Sequence, residues 1–415
     1  MKLSLRKCWC LFLFAGLAGA AKDSCVECHS GLDGNLQKPA TLFSDSIHRQ
    51  RGFYCTDCHG GDRTADDPEA SMSRARGFIG KIPRTAVPKL CARCHSDAAL
   101  MHKYNPKQRI DQYAQYLTSV HGKRIAAGDA AAANCVDCHS VHDIRGVRSP
   151  LSPVHPLRLP QTCAHCHADK THMAKYQIPT SQFDEYRKSV HWNALEQRGD
   201  LSAPSCASCH GNHGATPPGV NSVAAVCGTC HVLMEDLYSK SPHQPVFQSM
   251  GVAGCVVCHS NHAVLPASDK FLAGEKSVCT QCHEPASAGG AAAADMAKSI
   301  ERLAGALRRS DEALQRAASL GLEVSEAQLQ QQEGREALVK ARVAVHAFDP
   351  AAVNEPVSQG LKVAEATYRS GVDALAEGNR RRVGLGISLI TIVITMAGLW
   401  LAIRRIEKPS RQGGL

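Results

Sequence analysis

The sequence predicts a mostly α-helical protein with extensive loops, whose chain ends in a helical hairpin and a single transmembrane helix. The 415 residues include 20 cysteines and 21 histidines, and eighteen of these cysteines occur in nine copies of the pattern Cys-x-x-Cys-His. The region that holds the nine copies, residues 25–283, is rich in Gly, Pro and Ala and cannot bury a large side-chain core. Near the C-terminus, residues 383–403 form an apolar stretch of 21 residues without a charge.

The repeated pentapeptide is the attachment motif of c-type haem. Two thiols three positions apart fit two carbons on one porphyrin edge, and the adjacent histidine is held against the iron as its proximal ligand. Zinc sites and disulfides are the alternatives, but neither requires a histidine at the fifth position of every copy. The sequence therefore predicts nine covalent haem c groups.

Each predicted haem takes two cysteines and one histidine from its motif. The predicted attachment cysteines are Cys25, Cys28, Cys55, Cys58, Cys91, Cys94, Cys135, Cys138, Cys163, Cys166, Cys206, Cys209, Cys227, Cys230, Cys255, Cys258, Cys279 and Cys282. The predicted proximal ligands are His29, His59, His95, His139, His167, His210, His231, His259 and His283. We expect a haem-cored multihaem cytochrome domain over residues 21–290, with a short helix at each motif and loops turning at Gly and Pro, as in GATPPG.

A larger repeat contains most of these motifs. The element aromatic-x-x-Ser-x-His, which we call the repeat head, occurs four times and is followed each time by two motifs. The heads are FSDSIH, YLTSVH, YRKSVH and YSKSPH, which end at His48, His121, His191 and His243. Three of the following motifs continue to Cys-His-x-x-His, which adds His142, His213 and His262. The domain therefore consists of one leading haem, at Cys25, and four paired-haem repeats.

The seven histidines that recur in the repeats are predicted distal ligands, which bind the second face of each iron. His102, His155, His172 and His346 are further candidates, whereas His165 lies inside a motif and is interpreted as a bystander. If the segment after Cys135 is helical, His139 and His142 share one face, so His142 must serve a neighbouring haem or none. His121 has enough chain to reach the distal face of the same haem or of an adjacent one.

Both ends of the chain indicate export and a membrane anchor. Residues 1–20 combine Lys2, Arg6 and Lys7 with an apolar run and a small-residue cleavage site, which is typical of a secretory signal peptide. Residues 383–403 have the length of one membrane-spanning helix and are flanked by basic residues on both sides. We expect a protein of the bacterial inner membrane, with a large periplasmic domain and a cytoplasmic tail at residues 404–415.

Residues 291–380 change in composition to Ala, Glu, Gln, Leu and Arg and contain no cysteine. Leu303 and Leu307 belong to one series at helical spacing, and Val353 and Val357 belong to a second series after the break at Asp349-Pro350. This pattern predicts a helical hairpin that leads into the anchor. It is either a plain spacer or coiled coil, or a clamp on the last haems through His346.

The run SVHG…CVDCHSVH…CAHCH…YRKSVH…CASCHGNH…CGTCH resembles the multihaem c-type cytochromes with paired Cys-x-x-Cys-His motifs of respiratory, notably metal-reducing, bacteria. The resemblance implies electron relay, with a membrane cytochrome b or other quinol-oxidising subunit and periplasmic redox proteins as partners. The sequence contains no Cys-x-x-Cys-Lys motif, which marks the catalytic haem of ammonia-forming nitrite reductases.

The number of axial ligands on each haem iron distinguishes between two possible functions. Iron with two imidazole ligands offers no site for substrate, so a row of such haems conducts electrons, and we assign no catalytic residue. The alternative is a reductase of a small oxyanion or of a nitrogen or sulfur compound at one five-coordinate haem, for which the leading haem at Cys25 is the candidate. The formal charge of +9 includes three basic residues of the signal peptide, and it does not indicate nucleic-acid binding.

Overall fold

The computed structural model describes residues 22–216, 219–274 and 277–407. These residues form helices joined by long loops and contain no β-strand, which confirms the predicted fold class. The predicted signal peptide and residues 408–415 of the predicted tail lie outside the described residues. The chain divides into two compact units, Met1–Val223 and Ala224–Leu415, so the last three motifs share a unit with the C-terminal helices.

Each motif forms a short helix or helical turn. In several motifs an inner residue caps the helix: Asp57 accepts a hydrogen bond from the Tyr54 amide, and Asp137 accepts one from the Asn134 amide. The motif helices are Ser24–Ser30, Cys55–His59, Val87–His95, Cys135–His139, Leu159–His167, Cys206–His210 and Gly254–His259, with 3₁₀ turns at Cys227–Thr229 and Cys279–Gln281.

In each repeat the helix of the first motif ends at its histidine. The next residue has a positive φ in all four cases: Gly60 at 70°, Ser140 at 68°, Gly211 at 79° and Ser260 at 65°. This left-handed residue turns the chain sharply away from the helix axis. The helical spacing considered for His139 and His142 is therefore wrong, because the helix stops between them.

The serine and the tyrosine that recur in the repeat heads have structural roles. Ser46, Ser119 and Ser189 are buried, and each accepts a hydrogen bond from a backbone amide at the start of the next helix. The Tyr116 hydroxyl donates to the Ala133 carbonyl at 2.8 Å, just before the next motif. The head helices are Ile47–Gln50, Val120–Ala126, Val190–Trp192 and His243–Ser249.

Other short elements connect these helices. The remaining α-helices before the C-terminal region are Gly34–Phe43, Pro68–Ser71, Ala98–Tyr104, Gln112–Thr118, Lys170–Ala174, Gln182–Tyr186 and Val232–Ser239. A π-helical turn spans Asn193–Gln197, and 3₁₀ turns span Arg74–Arg76, Arg84–Ala86, Val223–Ala225, Asp269–Phe271 and Val345–Ala347.

The C-terminal region forms three long helices rather than the predicted hairpin. They span Ala288–Ser319, Ser325–Ala344 and Pro350–Ile406, and we call them the first, second and third bundle helices. The first two are separated by a tight turn in which Gly321 has a φ of 72°. The prediction missed this turn because the apolar residues on both sides of it keep helical spacing.

The three bundle helices pack like a coiled coil. On the third helix the buried residues recur at alternating steps of three and four, through Val353, Val357, Gly360, Ala364, Thr367 and Gly371. Glycines permit close approach: a Cβ at Gly360 would lie 2.9 Å from the Cβ of Ala337 and from a methyl group of Leu303. A buried polar layer joins the helices, where Thr367 Oγ1 lies 2.6 Å from Gln331 Oε1 and 2.7 Å from Ser310 Oγ.

Past the bundle, the third helix continues without a break into the apolar stretch. It has 57 residues, and its most apolar 18-residue window has a mean hydropathy of 2.2 and no buried residue. Length and composition therefore fit one membrane-spanning helix, as predicted. Leu322, in the turn between the first two helices, lies against Gly378, which is the last buried residue of the third helix.

Candidate functional site: paired histidines

Six motif histidines each face a second histidine from elsewhere in the chain. The ring centroids of these pairs are separated by 5.9 to 6.2 Å. The pairs are His95 with His48, His59 with His142, His167 with His121, His139 with His213, His283 with His243, and His259 with His346.

This separation fits two imidazoles on opposite sides of one metal ion. Metal–nitrogen bonds of about 2 Å place two such ring centroids about 6 Å apart. Direct aromatic contacts span a range that includes this distance, from 4.0 Å for His243 and Phe348 to 6.0 Å for His48 and Phe53, so the donor set identifies the site together with the spacing. The donor set, two imidazoles with two cysteines beside one of them, is the set that haem c requires. The residues therefore fit the cofactor.

The pairs follow one rule through the repeats. A head histidine pairs with the second motif of its own repeat, as His48 does with His95 and His121 with His167. The histidine of Cys-His-x-x-His instead pairs with the first motif of the preceding repeat, as His142 does with His59. The first two repeats therefore each receive one distal candidate from their own head and one from the repeat that follows.

The last repeat has no successor, and His346 takes the missing position. His346 lies in the turn between the second and third bundle helices, and its ring is 6.1 Å from that of His259 and nearly parallel to it. Its Nδ1 donates to the Val343 carbonyl at 2.9 Å, which leaves Nε2 to face His259. Arg342 binds both carboxylate oxygens of Asp269, at 2.9 and 2.8 Å, and holds the bundle against this motif.

The two kinds of pair differ in ring orientation. Pairs made by the following repeat or by His346 are nearly parallel, with interplanar angles of 19°, 10° and 19°. Pairs made by head histidines are steeply inclined, at 80°, 58° and 88°. The angle between the two rings of a pair therefore depends on whether the second histidine comes from a repeat head or from another segment.

Within each of the two units, motifs adjacent in the chain are also adjacent in space. The Cys91 and Cys135 thiols form a hydrogen bond that raises the pKa of Cys91 and lowers that of Cys135. A hydrogen bond between the Cys163 and Cys206 thiols raises the pKa of Cys163 and lowers that of Cys206. A hydrogen bond between the Cys227 and Cys255 thiols lowers the pKa of Cys227 to about 6 and raises that of Cys255. Neighbouring thiols also raise the pKa of Cys55, Cys58, Cys138 and Cys258, after the larger effect of burial.

Most paired histidines are held as neutral imidazoles. Burial, followed by the nearby His213 and His95, lowers the pKa of His139 to about 4. Burial is also the first cause of a lowered pKa for His48, His121 and His259. A neutral imidazole is the form that binds a metal, so the environment favours ligation at neutral pH.

The other predicted site histidines are placed differently. Within the described residues, which include every histidine of the chain, His102, His155 and His172 make no ring contact with a motif histidine. His102 donates to the Ala98 carbonyl of its own helix, and His172 packs on Tyr176. His165 is exposed on its motif helix. His191, His210, His231 and His262 all interact with neighbouring groups.

Sequence reasoning did not identify the groups that orient the ligands. The His59 Nδ1 donates to the Gly80 carbonyl, and the His29 Nδ1 donates to the Leu36 carbonyl, both at 2.9 Å. Gly289 leaves space for the His283 ring, since a Cβ there would lie 2.4 Å from its Nδ1. Backbone carbonyls leave no trace in the sequence, whereas Gly289 is visible only as a small residue at the start of a helix.

No group of three or more His, Cys, Asp or Glu side chains in the described residues could hold a bare metal ion. A family model for cytochrome c3 matches residues 47–168 and 200–284. These segments contain eight of the nine motifs and leave out the leading one at Cys25. No curated protein and no solved structure shows a significant match to the chain.

Proposed function

Because the chain belongs to the cytochrome c3 family of multihaem c-type cytochromes, we propose that it relays electrons along nine covalent haems on the periplasmic side of the inner membrane. Iron between two imidazoles changes oxidation state with little rearrangement and offers no position for a substrate. The observation that carries the proposal is the set of six histidine pairs, which have a common spacing and follow the order of the motifs.

In this proposal the nine motif histidines are the proximal ligands, and the repeat histidines and His346 are the distal ligands. At His29, His59 and His346 a hydrogen bond from Nδ1 to a carbonyl fixes the ring and directs Nε2 to the metal. Because a first motif takes its second histidine from the following repeat, ligation also fastens one repeat to the next. The close thiols support short distances between successive haems.

In this proposal the C-terminal apolar stretch anchors the chain, and the bundle holds the last haems away from the bilayer. The third helix passes through 33 residues between Pro350 and Val383, which corresponds to about 50 Å at about 1.5 Å per residue. His346 and Gly289, which contacts His283, both lie at the end of the bundle opposite the apolar stretch. The motifs at Cys255 and Cys279 therefore lie about 50 Å along the helix from its apolar stretch.

This distance limits which membrane component can donate electrons to the last haems. A quinol site inside the bilayer is too far along the helix axis to transfer electrons directly to the haems at Cys255 and Cys279. The apolar stretch contains no histidine and cannot itself ligate a haem. We therefore propose that the donor is a membrane quinol-oxidising subunit, such as a cytochrome b with a redox domain outside the bilayer, and that periplasmic redox proteins accept the electrons.

Protein-film voltammetry on the purified full chain tests the relay. We expect one broad and reversible envelope, without added substrate, whose integrated charge equals nine electrons per chain when haem is counted by the pyridine haemochrome assay. An envelope that reverses for only part of the bound haem would show that the row is interrupted and would refute the relay.

A further inference from the structure

We infer that the haem at Cys25, Cys28 and His29 keeps one axial position free and binds a small exogenous ligand. The ligand class is that of small donors to haem iron: carbon monoxide in the ferrous state and azide in the ferric state. The inference goes beyond electron relay, because a haem with an open position can also exchange electrons with a bound small molecule.

The proximal side of this site is built like the others. His29 lies on the helix Ser24–Ser30, whose start is capped by Asp23. Its Nδ1 donates to the Leu36 carbonyl at 2.9 Å, so Nε2 is directed away from the backbone, as it is in His59. The second helix, Gly34–Phe43, supplies this carbonyl and packs on the motif helix.

The distal side differs from that of the paired motifs. In the described residues, which include all 21 histidines, no histidine ring lies in contact with His29. Six other motif histidines have a partner at 5.9 to 6.2 Å. No repeat head precedes Cys25, and the cytochrome c3 match begins only at residue 47. The leading motif therefore lies outside the pattern that provides second histidines.

Five histidines belong neither to the proximal positions of the motifs nor to the repeats; His346 pairs with His259, and the other four are held elsewhere. His102 is bonded within its own helix, and His172 packs on Tyr176. His155 is buried, and its Nδ1 accepts from the Leu157 amide at 3.4 Å. His165 is exposed beside Cys166, a residue of another haem motif. None of these positions places an imidazole against His29.

The leading site is nevertheless connected to the row. The Ser24 hydroxyl donates to the Arg63 carbonyl at 2.9 Å, and the Arg63 guanidinium lies 3.8 Å from the centre of the Tyr54 ring, so the first two motifs are neighbours. Arg49 also joins these two segments, because it binds the Asp23 carboxylate at 3.1 Å and lies over the Tyr54 ring. An open haem here would stand at one end of the chain of haems, where a ligand could exchange electrons with the rest.

Carbon monoxide titration of the reduced, detergent-solubilised full chain tests the inference. We expect one carbon monoxide per chain in the wild type, whereas no binding would overturn the inference and leave the relay intact. Cys25→Ala/Cys28→Ala should lose one haem and all binding; retention of binding would place the open iron elsewhere and also overturn it. His48→Ala should bind two per chain, which verifies that the titration counts open irons.

A second variant addresses the case in which the chain without the leading haem does not fold. His29→Ala keeps both thioether cysteines and removes only the ligand opposite carbon monoxide. We expect the Soret band of the carbon monoxide complex to shift in this variant. In the control His102→Ala the band should not shift. An unchanged band in His29→Ala would show that carbon monoxide binds to another haem.

Discussion

Replacing His346 by Ala should open one particular haem. His346 provides the second ring to His259, at 6.1 Å and an interplanar angle of 19°, and it comes from the bundle rather than from a repeat. Without this imidazole the iron held by Cys255, Cys258 and His259 loses a strong-field ligand and becomes high-spin. The expected increase in high-spin ferric haem is one haem per chain, which is one ninth of the total predicted from the nine motifs.

The variant should remain folded. Arg342 still binds Asp269 through two hydrogen bonds, and the bundle core of Ile300, Leu303, Val353 and Val357 does not involve His346. The assay is quantitative EPR of the ferric full chain, read as the difference from the wild type. Carbon monoxide binding to the reduced chain should rise by one equivalent in parallel.

Two controls make the outcome specific. His346→Gly leaves a space the size of the side chain, so added imidazole should restore the low-spin state. His102→Ala removes a histidine that is exposed and bonded only within its own helix, and should leave the spectrum unchanged. If His346→Ala stays entirely low-spin, the bundle does not ligate the haem at Cys255, and the proposed substitution of His346 for a fifth repeat is wrong.

Three further predictions concern ligation, bundle stability and acid stability. His142→Ala and His121→Ala should each add one carbon monoxide site, because these rings pair with His59 and His167 on two different haems. The double variant should therefore add two sites. A double variant that adds only one site would show that both histidines serve the same haem and would refute the pairing rule. Thr367→Val should lower the free energy of unfolding of the bundle by about 1–3 kcal/mol, because Gln331 and Ser310 lose a buried partner. Urea denaturation measures this change, and Ser358→Ala, at an exposed site, is the control. Equal stability of the two variants would contradict the role of Thr367 in the buried polar layer. Tyr176 and then Lys175 lower the pKa of Asp129 from 3.8 to about 2, so its stabilising effect is present above about pH 4 and is lost as the pH falls through about 2. Asp129→Asn should therefore unfold at lower urea than wild type at pH 7, with the difference disappearing near pH 2.

The haem motifs and the repeats could be predicted from sequence because they are local. Two cysteines and a histidine within five residues specify an attachment site whatever the rest of the chain does. The recurrence of head serines and histidines also identified seven candidate distal ligands. The structure adds the function of Ser46, Ser119 and Ser189 as helix caps, which the Ser-x-His spacing already contains.

The pairing could not be predicted, because it depends on tertiary contacts. His142 and His59 are separated by 83 positions, and nothing in their spacing connects them. The direction of His142 also depends on Ser140, whose positive φ ends the motif helix, although serine rarely adopts this conformation. In the same way, one turn at Gly321 converted the expected hairpin into three helices.

Quantitative EPR of the ferric full chain tests the pairing of histidines most directly. We predict low-spin haems in two groups, a rhombic group from the nearly parallel pairs and a strongly anisotropic group from the steeply inclined pairs. One high-spin haem should accompany them, at Cys25. Several high-spin haems per chain would contradict ligation by paired histidines and with it the proposed electron relay.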